Sequence, residues 1–353
     1  MRDTVAGNGQ VRQFQATLEA VARAAGVSRA TVSRVVNGSP RVSPAIRRTV
    51  ETEIERLGYV PNRAARSLVT RRSDSIAVVI PEPSNRLFSD PFFPRLLRGI
   101  SGELSARDLQ LVLLAPESPA DAARVERYLA AGHVDGVLLV SLHGDDPLPA
   151  RLTARGLPVV VGGRPPEHAQ ASYVDVDNRQ GARAAVAHLA DHGRRVIGTI
   201  AGPADMGAGI DRLAGWRDAV RSAGLRADDD LAEHGDFSQQ GGALAMERLL
   251  GRRPDVDAVF AASDLMAVGA LQALRAAGRE VPGNVALVGF DDSPVALLTD
   301  PPLTSVRQPI EEMGREMARL LIRTAAEPAT ATRRVVLTTE LVVRRSSEEV
   351  ESR

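Results

Sequence analysis

The stretch TLEAVARAAGVSRATVSRVVNGSPRVSPAIRRTVETEIERLGYVPNRAARSL, residues 17–68, decides how the chain is read. Leu18, Val21, Ala22 and Ala25 recur at helical spacing and make one apolar face. Gly26 then supplies the left-handed residue that lets a helix stop and turn. Val27 can staple that turn, and Ser28 is placed to cap the next helix. In that helix Val32, Val35 and Val36 point inward, which leaves Arg29, Ala30, Ser33, Arg34 and Asn37 on the outer face. Asn37-Gly38 closes it. A third helix starts at Ser43-Pro44, a cap followed by proline at the first helical position, with Ile46, Val50, Ile54 and Leu57 as its buried stripe.

Two helices joined by a glycine turn, the second with a small, polar, arginine-bearing face, make a helix-turn-helix. Arginine suits base reading because its planar fork spans O6 and N7 of guanine. Ser33 and Asn37 are short groups suited to phosphate oxygens, which set register without reading sequence. The periodicity alone also permits an ordinary three-helix bundle with solvated arginines. Beyond Tyr59-Val60, Pro61 ends the third helix and Asn62 can cap another, but only about eight residues remain, too few for a helix to hold alone in water. Ala65 and Leu68 share its one face between Arg63 and Arg66, a pattern that fits minor-groove insertion with Leu68 as the wedge. The same residues could equally be a plain tether.

Residues 20–68 resemble the DNA-binding head of the LacI/GalR family of repressors, carrying both the GVSxxTVSRVxN turn and the PNxxARxL hinge in order. The resemblance implies that Arg29, Ala30 and Arg34 face major-groove bases, with Ser28, Thr31, Ser33 and Asn37 near phosphates. Leu68 is then the hinge leucine that opens the centre of a palindrome.

From Ser75 the pattern changes. Apolar runs at 76–80, 109–115, 135–141, 157–163, 195–202, 257–263 and 285–290 alternate with amphipathic stretches, the signature of βαβ units and buried parallel sheets. Two such series predict two doubly wound lobes. This body is similar to the periplasmic-binding-protein-like sensor of the same family, carried by DPFFPRLLRGI (90–100), DNRQGARAAVAHL (177–189), RLAGWRDAV (212–220), ASDLMAVGALQALRAAG (262–278) and VGFDDSPVA (288–296). The fold expected is therefore an α/β sensor of two doubly wound lobes behind an all-α helix-turn-helix head and a hinge helix. The expected boundaries are an arm at 1–13, the head at 14–60, hinge and linker at 61–72, and the sensor at 73–345. Lobe 1 takes about 73–173 and 303–332, lobe 2 about 174–302 and 333–345, and 346–353 is a polar tail with no leucine heptad.

Ligands of open α/β lobes bind beyond the carboxyl ends of the strands, where Asp264 and Asp291 fall. The resemblance places Arg212, Asp264 and Asp291 in the cleft as hydrogen-bonding partners of a small molecule, with Phe92, Phe93 and Phe237 as an apolar wall. One of the two adjacent phenylalanines is expected to face the cleft and the other the core. These residue types suit a sugar, whose hydroxyls pair with carboxylate and guanidinium while an aromatic face covers the ring. The residues alone leave other roles open: Asp264 as a helix cap, Asp291 as loop polarity, Arg212 as a surface pair with Asp211. Where some sugar-responsive members of the family carry an acid at the end of the fourth strand, this chain reads Gly162-Gly163-Arg164, which leaves room for a larger ligand and makes Arg164 a candidate contact for an acidic or phosphorylated one.

Composition narrows the rest. The 353 residues balance to zero formal charge, yet residues 1–72 hold 13 arginines against five acids, so the head is basic and the body acidic. All 44 basic residues are arginine, and without lysine there is no Walker-A loop, Schiff base or Ser-x-x-Lys nucleophile. With no cysteine, disulfides and thiolate sites are excluded. The first 16 residues lack an apolar signal core and no run reaches a membrane-spanning length, so a cytoplasmic chain without membrane attachment is expected. His188 and His192 lie four apart as in a zinc motif, but no glutamate follows His188, and both sit where a helix end favours histidine. The run at 207–209 begins like a dinucleotide loop but meets Arg212 where glycine is required. No catalytic group, metal or cofactor is expected. The partners expected are an operator of double-stranded DNA, a sugar effector and a second copy of the chain. A corepressor-dependent relative answering to a purine or phosphorylated ligand is the alternative within the family. A solute-binding protein and a DNA-tethered enzyme are the alternatives outside it.

Overall fold

The computed structural model describes residues 16–36, 38–60, 72–166, 169–327 and 332–348, and it divides into two compact units, Met1–Ser73 and Asp74–Arg353. In the first, α1 (Leu18–Ala24), α2 (Arg29–Val36) and α3 (Pro44–Leu57) enclose a small core in which Val21, Val32 and Val50 are fully buried. Each helix starts on a hydroxyl cap: Thr17 accepts from the Ala20 amide at 3.2 Å, Ser28 from Thr31 at 3.1 Å and Ser43 from Ile46 at 3.4 Å. Gly26 and Gly58, at φ 65° and 62°, turn the chain after α1 and α3. Ile46, expected on the buried stripe, is 39% exposed, because it lies a turn ahead of Val50, where α3 first meets the core.

The second unit holds two six-stranded sheets. The first takes β1 (Ser75–Val79), β2 (Gln110–Leu114), β3 (Gly136–Val140), β4 (Val159–Gly162) and β5 (Ser172–Val176). The second takes β6 (Ile197–Ala201), β7 (Ala232–His234), β8 (Ala258–Ala261), β9 (Ala286–Asp291) and β10 (Thr304–Arg307). The chain then adds β11 (Arg334–Leu337) to the first sheet and β12 (Glu340–Val342) to the second, giving orders β11-β5-β4-β3-β1-β2 and β12-β10-β9-β8-β6-β7. All pairings are parallel except β10 with β12. In lobe 1, α4 (Ser84–Ser89), α5 (Phe92–Ser105), α6 (Pro119–Ala130) and α7 (Leu148–Ala154) follow the strands. In lobe 2 they are α8 (Asn178–Asp191), α9 (Gly207–Ser222), α10 (Gln239–Arg252), α11 (Asp264–Ala276) and α12 (Val295–Leu298), while α13 (Ile310–Ala326) returns to lobe 1. Each sheet is buried on both faces, so β3 and β6 are apolar or small at every position, as parallel sheets require.

Each change of lobe falls one strand or nearly so after the expected place. β5 pairs with β4 in the first sheet, so the chain leaves lobe 1 after Val176 rather than at 173. β10 joins β9, so the return follows Arg307 rather than preceding 303, and β11 joins β5, so the last crossing follows Leu337. Nor is 346–353 simply a tail. Ser346 and Ser347 are buried in lobe 2, where Ser346 Oγ donates to the Leu287 carbonyl at 2.6 Å and accepts from the Thr304 amide at 2.8 Å.

Candidate functional site

The carboxyl ends of the strands face one cavity of about 430 Å³ between the two lobes. β1 and β6 each have a neighbour on both sides drawn from later in the chain, and the loops leaving these switch points frame the opening. Phe92, Phe93, Arg164, Arg212, Phe237 and Asp291 all line it. Both adjacent phenylalanines reach the wall, since their rings meet edge to face with centroids 5.4 Å apart.

Asp264 does not line the cavity. Its carboxylate points back into lobe 2, where it accepts from Ser305 Oγ at 2.5 Å and the Ser293 amide at 2.7 Å. Gly289 makes that possible, because a Cβ there would lie 2.4 Å from Asp264 Oδ1. Asp264 is not the helix cap either; that is Ser263, which accepts from the Met266 amide and does line the cavity.

Arg212 is the polar centre. It projects from α9 into the interior, donating from Nε to Asn178 Oδ1 at 2.8 Å and from a terminal nitrogen to the Ala262 carbonyl at 2.6 Å. Asp291 stands 3.7 Å from the guanidinium, which lies 3.7 Å from the centre of the Phe290 ring. Burial pulls Arg212 down from its ordinary pKa against the charges of Asp291 and Asp175. Burial likewise pushes Asp291 well up, against Arg212 and a hydrogen bond donated by Gln308. In both groups desolvation outweighs attraction. Asp175, with burial as the main cause, is raised to about 6, and burial also raises Asp90. Ser141, Phe237 and Asp291 hold positive φ values of 61°, 66° and 116°, strained backbone gathered at the cavity wall. Gly202 admits the Phe237 ring, whose Cζ would stand 2.3 Å from a Cβ there.

Arg164 is engaged within the protein. It makes a two-pronged pair across the lobes with Asp211, at 3.0 and 2.6 Å, and its backbone amide donates to Asp175. Hydrogen bonding to Asp211 raises the Arg164 pKa further, so this guanidinium is not a free anion receptor. Gly162 leaves no open space, because a side chain there would meet Met317 Cε at 2.8 Å, whereas a Cβ on Gly163, which also lines the cavity, would meet nothing within 4 Å.

Sequence reasoning missed Arg86, Asp90, Ser141, Asn178, Asp205, Gln308 and Met313, all of which line the cavity. Ser141 and Gln308 directly follow strand ends and Asn178 lies two residues beyond one, so these were open to the same rule as Asp291; the others had no such local signal. Arg86 pairs with buried Glu82 at 2.6 Å, sets its guanidinium 5.2 Å from the Phe237 ring, and keeps a buried Nε with no hydrogen-bond partner. His188 and His192 lie outside the cavity. His188 meets Ser347 Oγ at 2.8 Å, and His192 meets the His188 carbonyl at 2.7 Å and Glu348 at 3.4 Å, ties that anchor the end of lobe 2.

On the head, Ser28, Arg29, Ala30 and Arg34 are exposed and Thr31 and Ser33 half-buried on α2. Ser28 and Thr31 share a 2.9 Å hydroxyl hydrogen bond, and Arg29 pairs with Glu19 at 3.0 Å. Asn37, Asn62, Arg63, Ala65, Arg66 and Leu68 lie outside the described residues.

A helix-turn-helix unit joined in one chain to a two-lobed α/β unit with a cavity at its strand ends defines a ligand-responsive DNA-binding regulator. Residues 17–62 match the bacterial regulatory proteins of the lacI family, and residues 186–347 match a periplasmic binding protein-like domain. The regulator CelR of Thermobifida fusca is 54% identical over 95% of this chain and 99% of its own. The ribose operon repressor of Escherichia coli K12 is 35% identical over 94% of this chain and all of its own. Among solved structures, a CelR–cellobiose complex superposes with a TM-score of 0.76 at 52% identity, covering 94% of this chain and 100% of that one. A lac repressor dimer bound to operator and the anti-inducer ONPF gives 0.82 at 26% identity, covering 94% and 99%. The chain belongs to the lacI family of bacterial regulatory proteins. No helix among the described residues is long and apolar enough to cross a membrane.

Proposed function

We propose that this chain is a cytoplasmic repressor that binds a pseudo-palindromic operator as a dimer and releases it when cellobiose or a closely related β-linked glucose oligosaccharide enters the cavity. The observation that carries the reading is the cavity wall. Arg212 and Asp291 pair there beside Phe92, Phe93 and Phe237, so a sugar's hydroxyl groups would hydrogen-bond to the charged pair and the rings would cover its C–H face. The 54% identity to CelR and the cellobiose in the related complex support the choice of sugar. In this reading 14–60 read DNA, 61–72 form the hinge with Leu68 as its wedge, and 74–348 sense the effector. Arg29, Ala30 and Arg34 reach base edges, and Ser28, Thr31, Ser33 and Asn37 hold phosphates. Asn62, Arg63, Ala65 and Arg66 grip the minor groove.

The phosphorylated-effector alternative loses its motive, since the cation that suggested it is held by Asp211. Calorimetry with cellobiose, followed by operator gel shifts with and without it, tests the proposal. Binding that weakens the operator complex is expected; tighter operator binding would reverse the sign to corepression, and no heat with cellobiose would remove the sugar assignment.

A further inference from the structure

We propose that His143 is a positioning residue that ties the two lobes together across the cavity rim as an imidazolium, so that effector binding, which favours the closed cleft, takes up a proton. The sugar probe in this inference rests on the effector proposed above; the tie itself does not.

His143 stands in the lobe 1 loop that leaves β3. Its Nδ1 lies 3.0 Å from Asp205 Oδ2, on the lobe 2 loop that leaves β6, and its Nε2 lies 3.3 Å from Glu82 Oε1, on the loop that leaves β1. A neutral imidazole carries one N–H and can satisfy one of these carboxylates, leaving a lone pair against the other. Only the imidazolium donates to both. The seam continues in the backbone, where the Gly144 amide donates to the Asp205 carbonyl at 2.8 Å. Opening the lobes breaks both the Asp205 contact and this bond while Glu82 stays with His143.

The surrounding charges are arranged to keep Glu82 ionised. Glu82 is buried and also meets Arg86 at 2.6 Å and the Ser141 hydroxyl. Burial alone would raise its pKa, but the hydrogen bond from His143 and the charge of Arg86 carry it below the ordinary range. Asp205 is half-exposed, and Asp145, two residues beyond His143 on the lobe 1 loop, also lines the cavity. Hydrogen bonding to Glu82, and then to Asp205, raises His143 above its usual value against the opposing effect of burial. A histidine raised in the closed state contributes fully at low pH, and its contribution is lost as pH climbs through the closed-state pKa. A second lobe tie on the cavity, Arg164 with Asp211, rests on a guanidinium that stays charged throughout, while the raised cavity acids Asp175 and Asp291 belong to the wall rather than to the His143 tie.

The experiment has two arms on the full chain. Without sugar, thermal unfolding of the wild type, His143→Gln, Asp205→Asn and the double variant is measured from about pH 5.5 to about pH 8.5. Coupling between the two sites that is present at the acid end and gone at the alkaline end is expected; no coupling at any pH overturns the tie. With cellobiose, calorimetry in two buffers of different ionisation heat counts protons taken up, and affinity is expected to fall severalfold from the acid to the alkaline end. His143→Gln should take up fewer protons on binding than the wild type and show a shallower profile, the remainder belonging to the cavity acids Asp175 and Asp291, and His143→Arg should restore affinity while keeping the shallower profile. Proton uptake in the wild type no greater than in His143→Gln overturns the linkage. If cellobiose does not bind at all, the sugar assignment fails, the effector linkage fails with it, and the unfolding cycle alone decides the tie.

Discussion

At the scale of single residues, the cavity turns on how a few buried charges are held. Removing Arg212 as Arg212→Ala leaves Asp291 with Gln308 but no cation, and the loss of one partner from a buried pair costs about 3–5 kcal/mol. Urea unfolding should therefore show a large drop alongside loss of the effector response. Asp264 calls for a different expectation. Because it binds Ser305 and the Ser293 amide behind the wall, Asp264→Asn should lower stability by about 1–3 kcal/mol through a mismatched donor. Its pH dependence has a definite sign. Burial raises Asp264 to about 6, above an unfolded value near 3.9, so the native protein holds the extra proton and loses stability as pH rises from about 4 to about 6. Asparagine does not titrate. The penalty of Asp264→Asn should thus be larger at about pH 5 than at about pH 8, and a penalty that grows with pH would contradict the buried-acid account.

Elements were legible in proportion to how local their signals are. The caps Ser28 and Ser43 and the turn at Gly26 act within three or four residues, and the head could be read from them. The long apolar strands declared themselves by burial on both faces. β5 is broken by polar residues, SYVDV, and β7 is three residues of AEH at a sheet edge, so neither made an apolar run and the first lobe boundary moved. Glu82, His143 and Asp205 come from three loops separated by some 60 residues each, and their meeting depends on two sheets facing one another. Pattern at one position carries no trace of that. The crossing of α5 and α13 was invisible for the same reason. A Cβ on Gly99 would lie 2.0 Å from the Glu311 carbonyl, and one on Gly314 would lie 2.3 Å from that of Leu96. Gly99→Ala or Gly314→Ala should force these backbones apart and cost at least about 1–3 kcal/mol, read as a lower melting temperature. On α2, Arg34→Ala should relax preference at one base of each half-site by about 1–3 kcal/mol, measured against a panel of substituted operators. Uniform weakening across the panel would make Arg34 a phosphate contact.

Over the whole molecule, charge and coupling set what can be measured. The basic head carries a net +8 and the rest of the chain an equal negative charge, so operator affinity should fall steeply with salt while cellobiose affinity hardly moves. The stronger test is reciprocity. If the effector weakens operator binding by a factor, the operator must weaken effector binding by the same factor, because both legs close one thermodynamic cycle. Couplings of this kind amount to about 1–3 kcal/mol, or roughly fivefold to 150-fold. Titrating cellobiose into free protein and into the operator complex, and operator into free and cellobiose-saturated protein, gives four constants with one constraint. The two ratios should agree at each pH. The proton link through His143 adds a second requirement, since the free protein's cellobiose constant should shift with pH while the cycle still closes. Ratios of one, with cellobiose bound equally by free protein and operator complex, would mean that cellobiose is not the effector, and the sugar would then have to be reassigned.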